Sequence, residues 1–210
     1  MSWQVVVPVK SSDAAKSRLG ASPALALAIA VDTVAAVAAA PGVGRVVVVT
    51  ADEGVAWELR GIDGVQVVPE LASEGIASAV SLGLDMIEET EDRAILLGDL
   101  PALASEDLAA ALALASRVTR GFVPDREGGG TTMVTATAGS ELLHRFGAGS
   151  AARHAALGLV RLGVPKDSTL RRDVDTPEHL DAARAQGLGP RTLAALAAGP
   201  GSGEDPPLQP

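Results

Sequence analysis

The sequence contains no cysteine, which excludes a disulfide framework and a thiolate metal centre; a thiol-free chain fits a cytoplasmic protein, and that location is expected. Aromatic residues are nearly as scarce, with Trp3, Trp57, Phe122 and Phe146 making up the whole set. That argues against nucleic acid held by stacking bases on side-chain rings. Lys and Arg form no cluster. They number 17 against 26 Asp and Glu, so the formal charge is 17 − 26 = −9. A phosphate-backbone partner is not expected, and an anionic substrate needs a local nest of cations, N–H groups or metal to overcome the global field. The longest apolar stretch, Pro23 to Ala40, is broken by Asp32 and Thr33 and is too Ala-rich to span a bilayer. The opening MSWQVVVPVK has no basic segment leading into a long apolar one, so it does not read as a signal peptide.

What is present is a fine-grained apolar content of 47%, mostly Ala, Val and Leu, in 210 residues. This suits one domain in which helices pack closely on a sheet, expected over 1–198. The Gly/Pro segment GPGSGEDPPLQP, 199–210, reads as a disordered tail.

The chain is organised around Arg93 to Leu103, RAILLGDLPAL. Ala94-Ile95-Leu96-Leu97 has the length and unbroken apolarity of a strand covered on both faces. Gly98 ends it, Asp99 follows, and Pro101 keeps the chain out of helix until Ser105 caps one that Glu106 and Asp107 open. Asp99 therefore stands at the C-terminal edge of a central strand, where open α/β sheets bind ligands, and a short carboxylate there suits Mg²⁺ and phosphate. An Asx-turn ahead of Pro101 explains the residue equally well on this stretch alone.

Before this point, Trp3 to Val9 reads as a first strand and Lys10 to Gly20 as a polar loop with Lys10, Lys16 and Arg18, after which Ser22-Pro23 opens a helix. A strand, a basic loop and a helix suit a nucleotide's phosphates; a solvated Lys/Arg loop is the plainer alternative. Arg45 to Thr50 and Val65 to Val68 are further strands, with a short helix over 52–60. Gly75-Ile76-Ala77 leads into a helix running to about Glu89. Strands and helices alternating in this way predict a parallel α/β sheet.

Beyond it, a helix is expected over 105–117 and strands over 121–124 and from Thr131. Between them lies PDREGGGTTMV, whose glycines 128–130 and paired threonines suggest a loop offering N–H donors to a ligand. Glu141 to Phe146 looks like a turn or two of helix. Phe146-Gly-Ala-Gly-Ser150 then breaks it, and Ser150 is expected to cap a helix over 151–157, a second anion-friendly feature. His154 reads as a structural donor with no acid–base work assigned. Val160 to Val164 is a late strand. Asp173-Val174-Asp175 precedes the cap Thr176-Pro177, and Asp175 with Asp99 across a sheet would form the two-carboxylate grip that suits hydrated Mg²⁺.

Taken together, VPVK (7–10), AKSRLG (15–20), LLGDLPAL (96–103), PDREGGGTT (124–132), RFGAGS (145–150) and DVDTP (173–177) resemble, in order, the guanylyltransferases that activate phosphoenolpyruvate or 2-phospho-L-lactate in coenzyme F(420) biosynthesis. The resemblance implies a three-layer α/β/α Rossmann-like nucleotidyltransferase fold with a mixed, mostly parallel sheet, and GTP, Mg²⁺ and a small phosphorylated three-carbon acid as ligands. It implies Asp99 and Asp175 as metal ligands, Thr132, Gly147 and Ser150 as acid-binding positions, and Lys10, Lys16 and Arg18 facing the triphosphate, with Lys16 and Arg18 also catalytic. Gly75 and Gly98 fall in the nucleotide-binding set. Where the family usually has Gly-Leu-Asn, this chain has Gly75-Ile76-Ala77, so an amide expected near the guanine or ribose is missing.

The implied chemistry needs no general base, because an already ionised phosphate attacks the α-phosphorus of GTP in line while pyrophosphate leaves. The resemblance of this Ala- and Gly-rich, Cys-free chain to the bacterial branch of the family implies phosphoenolpyruvate as the acid. A related nucleotidyltransferase with another phosphate acceptor and a non-catalytic nucleotide-binding protein are the alternatives. A nucleotide-sugar transferase is weakened because Asp99 is followed by Leu100-Pro101, although Asp173-Val174-Asp175 has the spacing such enzymes use. A homo-oligomer stays open.

Overall fold

Seven strands form one sheet in the order β3-β2-β1-β4-β6-β5-β7 in a computed structural model that describes residues 2–9, 21–70 and 75–199. The β-branched opening run is β1 (Trp3–Val9), buried along its length between β2 (Val43–Thr50) and β4 (Asp92–Leu96), and parallel to both. Pro8 lies beyond Val6, the last residue that β4 pairs, where a missing N–H does least harm to the sheet. β3 (Val65–Pro69) extends the parallel half. On the other side β6 (Thr131–Ala136) runs antiparallel to both β4 and β5 (Arg120–Pro124), and the two-residue β7 (Val160–Arg161) pairs parallel with β5. The expected mixed, mostly parallel sheet is thus present, with β6 the reversed strand.

Alternation along β1 builds two cores. Val5, Val7 and Val9 pack with α1 (Pro23–Ala38), α2 (Glu53–Leu59) and α4 (Ser105–Ala115). Val6 packs on the opposite face with α3 (Ile76–Leu84) and α5 (Ser150–Ala156), so the architecture is three-layered, α/β/α. Each fully buried Val or Leu contributes about 1.5–3 kcal/mol, which lets a core of small side chains hold the layers together. A third cluster joins Leu25 and Ile29 of α1 to Ala102, Val174 and α6 (Pro177–Arg184), and α7 (Pro190–Ala198) packs beside it.

Several element boundaries differ from the sequence expectation. Ser105 is the first residue of α4 and not its cap; its hydroxyl donates to the Ala36 carbonyl at 2.8 Å, which ties α4 to the end of α1. α3 stops at Leu84, because three-residue turns at Met86 and Ile87 bring Ile87 down into the core. Residues 141–146 are not helical, and the late strand shrinks to β7. α7 has no counterpart among the expected elements. Its N-terminus is capped from α1: the Asp32 carboxylate accepts from the N–H groups of Arg191 at 3.2 Å and Thr192 at 2.7 Å. The tail expected over 199–210 lies outside the described residues from 200 on.

Candidate active site

The chain visits β1, β2 and β3 on one side and then returns to place β4 on the other side of β1, so the strand order reverses between β1 and β4. Ligands of open α/β sheets bind at the C-terminal ends of strands at such a point. Gly98 brings the end of β4 against the end of β1. A Cβ there would lie 3.0 Å from Val9 Cγ2 and 3.2 Å from the Pro8 carbonyl, so the glycine permits a close backbone approach. The half-buried Asp99 follows. The loop carrying it is held by α1, where Thr33 Oγ1 donates to the Ile29 carbonyl at 2.8 Å and accepts from Leu100 N at 3.1 Å. It is also held by the Gly189 N–H, which donates to the Pro101 carbonyl at 2.8 Å.

Asp173-Val174-Asp175 reaches Asp99 through a chain of anchors. The Asp107 carboxylate in the first turn of α4 accepts from Thr169 N and Thr169 Oγ1, both at 2.6 Å, and from Ser168 Oγ at 3.0 Å. The buried Arg171 guanidinium then donates to the carbonyls of Pro124, Asp125 and Val164, fixing the segment to the end of β5. Val174 enters the third apolar cluster and its N–H donates to the Asp99 carbonyl at 3.0 Å.

Around this junction carboxylates crowd. Asp125, Glu127 and Asp173 offer oxygens that all lie within 4.8 Å of one another. Burial, followed by the charges of Asp99 and Asp125 and more weakly of Asp175, pushes the Asp173 carboxyl up to about 7. Among the described residues, Arg172 forms an ion pair here with Glu127, at 3.6 Å. Asp125 also organises the glycine loop. Its carboxylate accepts from the N–H groups of Gly128 at 2.5 Å, Gly129 at 3.0 Å and Gly130 at 2.6 Å, and a Cβ on Gly130 would collide with it. The donors expected to face a ligand are therefore directed at Asp125, because a carboxylate three residues upstream offers them a local acceptor. Asp125, Glu127 and Asp173 were not among the expected site residues; the doublet spacing Asp173-Val174-Asp175 is the signal in the sequence that could have found one of them.

The positions expected to take the acid lie on segments that flank the glycine loop, Thr132 two residues after it in β6 and Gly147 and Ser150 on the turn into α5. Thr132 is wholly buried at the start of β6, its Oγ1 3.5 Å from the Val123 carbonyl. Gly147, with φ +109, and the left-handed Gly149 form the turn into α5, where Ser150 is the first helical residue and Gly149 its cap, in place of the expected Ser150 cap. The Ala151 N–H donates to the Gly129 carbonyl at 3.2 Å, which joins this turn to the glycine loop. Gly75, φ +97, caps α3 at the edge of the described region. Lys10, Lys16 and Arg18 lie outside the described residues.

The donor set fits a hard divalent cation. The grouped side chains Asp125, Glu127 and Asp173 are all carboxylates, with neither imidazole nor thiolate among them, and burial together with the negative charges of Asp99 and Asp125 raises the Asp173 carboxyl.

A three-layer α/β/α fold with carboxylates gathered near the switch point of its sheet suits a Rossmann-like nucleotidyltransferase, and that is the class the family match shows. Residues 26–162 match the model of the MobA-like NTP transferase domain. The chain is 44% identical to a phosphoenolpyruvate guanylyltransferase of Streptomyces coelicolor, covering 94% of this chain and 97% of that one. It is 48% identical to the protein of the same name in Salinispora arenicola, covering 90% and 91%. The solved structure of a 4-diphosphocytidyl-2C-methyl-D-erythritol synthase shares the fold, with a TM-score of 0.62, 13% identity and coverage of 88% of this chain and 97% of that one. The chain belongs to the phosphoenolpyruvate guanylyltransferase family of MobA-like nucleotidyltransferases. No helix among the described residues is long and apolar enough to cross a membrane.

Proposed function

We propose that this protein transfers GMP from GTP to phosphoenolpyruvate and releases pyrophosphate, as the cytoplasmic guanylylation step that its resemblance assigns to coenzyme F(420) biosynthesis. The observation that carries the reading is the convergence of Asp99, Asp173 and Asp175 at the switch point of a nucleotidyltransferase sheet, in a chain 41–48% identical to proteins named for this activity. A phosphate oxygen of the acid attacks the α-phosphorus in line, the bond to the β-phosphate bridging oxygen breaks, and pyrophosphate carries away the electron pair. The nucleophile is already ionised, so no side chain has to remove a proton. The protein's task is to align two anions and offset their repulsion.

Asp99 and Asp175, with Asp173 beside them, would hold Mg²⁺. When bound, the ion neutralises charge on the phosphates. Thr132, Gly147 and Ser150 hold the acid, and Lys10, Lys16, Arg18, Gly75 and Gly98 belong to the nucleotide side. Support for the acid site is the hydrogen bond from Ala151 to Gly129, which sets the glycine loop beside the Gly147–Ser150 turn.

The test is incubation of purified protein with Mg²⁺, each nucleoside triphosphate, and phosphoenolpyruvate or 2-phospho-L-lactate, alone and in equal mixture, read by product mass and pyrophosphate release. The expected product is guanylylated phosphoenolpyruvate, formed only with GTP. A mixture dominated by the lactyl product would overturn the choice of acid, and absence of pyrophosphate release would overturn the reaction.

A further inference from the structure

His154 is fully buried in α5, yet both its ring nitrogens are engaged by other segments. The main-chain N–H of Arg145 donates to Nε2 at 2.8 Å, and Nδ1 lies 2.9 Å from Thr131 Oγ1. A nitrogen that accepts from a backbone N–H must present a lone pair. The ring proton of a neutral imidazole then sits on Nδ1, and the Thr131 hydroxyl accepts it. Phe146 meets the ring edge-on, with centroids 5.3 Å apart, and Phe122 lies on another side at 5.9 Å. The imidazole is thus held in one tautomer and one orientation.

The positions of its partners show what the ring connects. Thr131 immediately precedes Thr132. Arg145 lies two residues before Gly147, on the same turn. His154 itself lies four residues after Ser150, on the same side of α5. Each contact therefore fixes the segment that carries one of the three acid-binding positions, although those segments come from a strand, a loop and a helix.

We propose that His154 is the positioning residue of the acid-binding site: as a neutral Nδ1–H imidazole it locks the entry of β6, the Arg145–Gly149 turn and α5 in the mutual geometry that receives the phosphorylated acid. This rests on the acid site described under the proposed function. The ring touches no substrate and moves no proton in the reaction; its effect passes through Thr132, Gly147 and Ser150. An apolar residue of similar size would fill the space but leave the part-buried Arg145 N–H without its acceptor, so the turn would shift to find one. Burial, with His144 and Arg153 nearby, pushes the imidazole down to about 4, in keeping with the neutral form that the hydrogen bonds require.

Two amide substitutions separate the two contacts. In His154→Gln the terminal oxygen reaches the place of Nε2 and keeps the acceptor for Arg145, whereas the shorter amide of His154→Asn reaches only toward Thr131. KM for phosphoenolpyruvate should rise about tenfold in His154→Asn and stay within about threefold in His154→Gln, with KM for GTP unchanged in both. Equal effects on the two substrates, or no difference between the two variants, would overturn the proposal. Nitrogen chemical shifts of the imidazole in the wild-type protein at pH 7 supply a measurement that needs no variant to fold. They should show neutral Nδ1–H, and an Nε2–H tautomer or an imidazolium would overturn the assignment. Should wild-type protein lack guanylylating activity while its imidazole is Nδ1–H, the proposed reaction fails and the locked geometry around His154 stands.

Discussion

The main-chain N–H of Val174 donates to the carbonyl of Asp99 at 3.0 Å, and this bond sets the Asp173-Val174-Asp175 segment against the end of β4. Val174 turns into an apolar cluster with Ala102 and Leu180, so its two acidic neighbours are left at the junction with Asp99 and Asp125. The arrangement concentrates negative charge in a protein whose net charge is already −9, and its consequences can be measured.

Asp99→Asn and Asp175→Asn should each lower turnover by about a thousandfold, since each would remove a charge from the proposed metal grip without adding bulk. Circular dichroism and melting temperature should remain close to wild type. Near-normal activity with Mg²⁺ in either variant would remove that residue from the site.

The Asp173 carboxyl is pushed up to about 7 from its ordinary 3.8. Between those values the native protein keeps a proton that the unfolded chain gives up, so this group makes stability fall as pH rises from about 4 to about 7, and the full penalty is present above that. Asp173→Asn should therefore raise the melting temperature of metal-free protein at pH 8 by a few degrees. Mg²⁺ should stabilise the wild type more at pH 8 than at pH 5.5. A lower melting temperature for Asp173→Asn at pH 8 would show that the carboxylate is held by something more favourable than its neighbours.

His154 acts in the opposite direction. Its imidazole is pushed down from 6.5 to about 4 by burial and by His144 and Arg153. The unfolded chain takes up a proton below 6.5 while the native protein does not, so stability present above 6.5 is lost as pH falls toward 4. His154→Gln should flatten that acid limb in urea titrations run across the window; an unchanged limb would mean that another group causes it.

Ser150→Ala should raise KM for the acid about tenfold and leave KM for GTP unchanged, because in the proposed acid site it would remove one charge-assisted hydrogen bond to one of the two ligands. Steady-state kinetics with each substrate varied in turn decides it, and a matching rise for GTP would place Ser150 elsewhere in the reaction.

Asp32→Ala leaves the N–H groups of Arg191 and Thr192 at the start of α7 without their acceptor. The loss should cost about 1–2 kcal/mol and lower the melting temperature by roughly 2–8 °C. Asp32→Asn keeps one acceptor oxygen and should cost less. Equal melting temperatures for wild type and Asp32→Ala would show that α7 docks by apolar packing alone.

Local rules carry a long way here. The β-branched runs of β1 and β2, the unbroken Ala94-Ile95-Leu96 and the regular return of helices made a parallel α/β sheet readable in the sequence, because strand and helix periodicities are properties of neighbouring residues, whereas the three layers and the mixed sheet were implied by the family resemblance. Asp99 at the end of the central strand was readable for the same reason, with Gly98 and Pro101 marking where the strand must stop. Contacts between distant segments were not. In sequence Asp32 only interrupts an apolar helix, and it becomes the cap of α7 once Gly189 brings that helix to α1. The triple glycine suggests donors for a ligand, but whether those N–H groups face outward or fold onto Asp125 depends on the loop's closure, and they fold onto Asp125. Asp125, Glu127 and Asp173 come from segments that Arg171 pins together by donating to the Pro124 and Asp125 carbonyls, while Asp107 ties the segment before Arg171 to α4. His154, a lone histidine in a short helix, joins Thr131 to Arg145. Periodicity reports what a residue's own element does, whereas charge proximity and hydrogen-bond partnership across the fold exist only after the layers have packed.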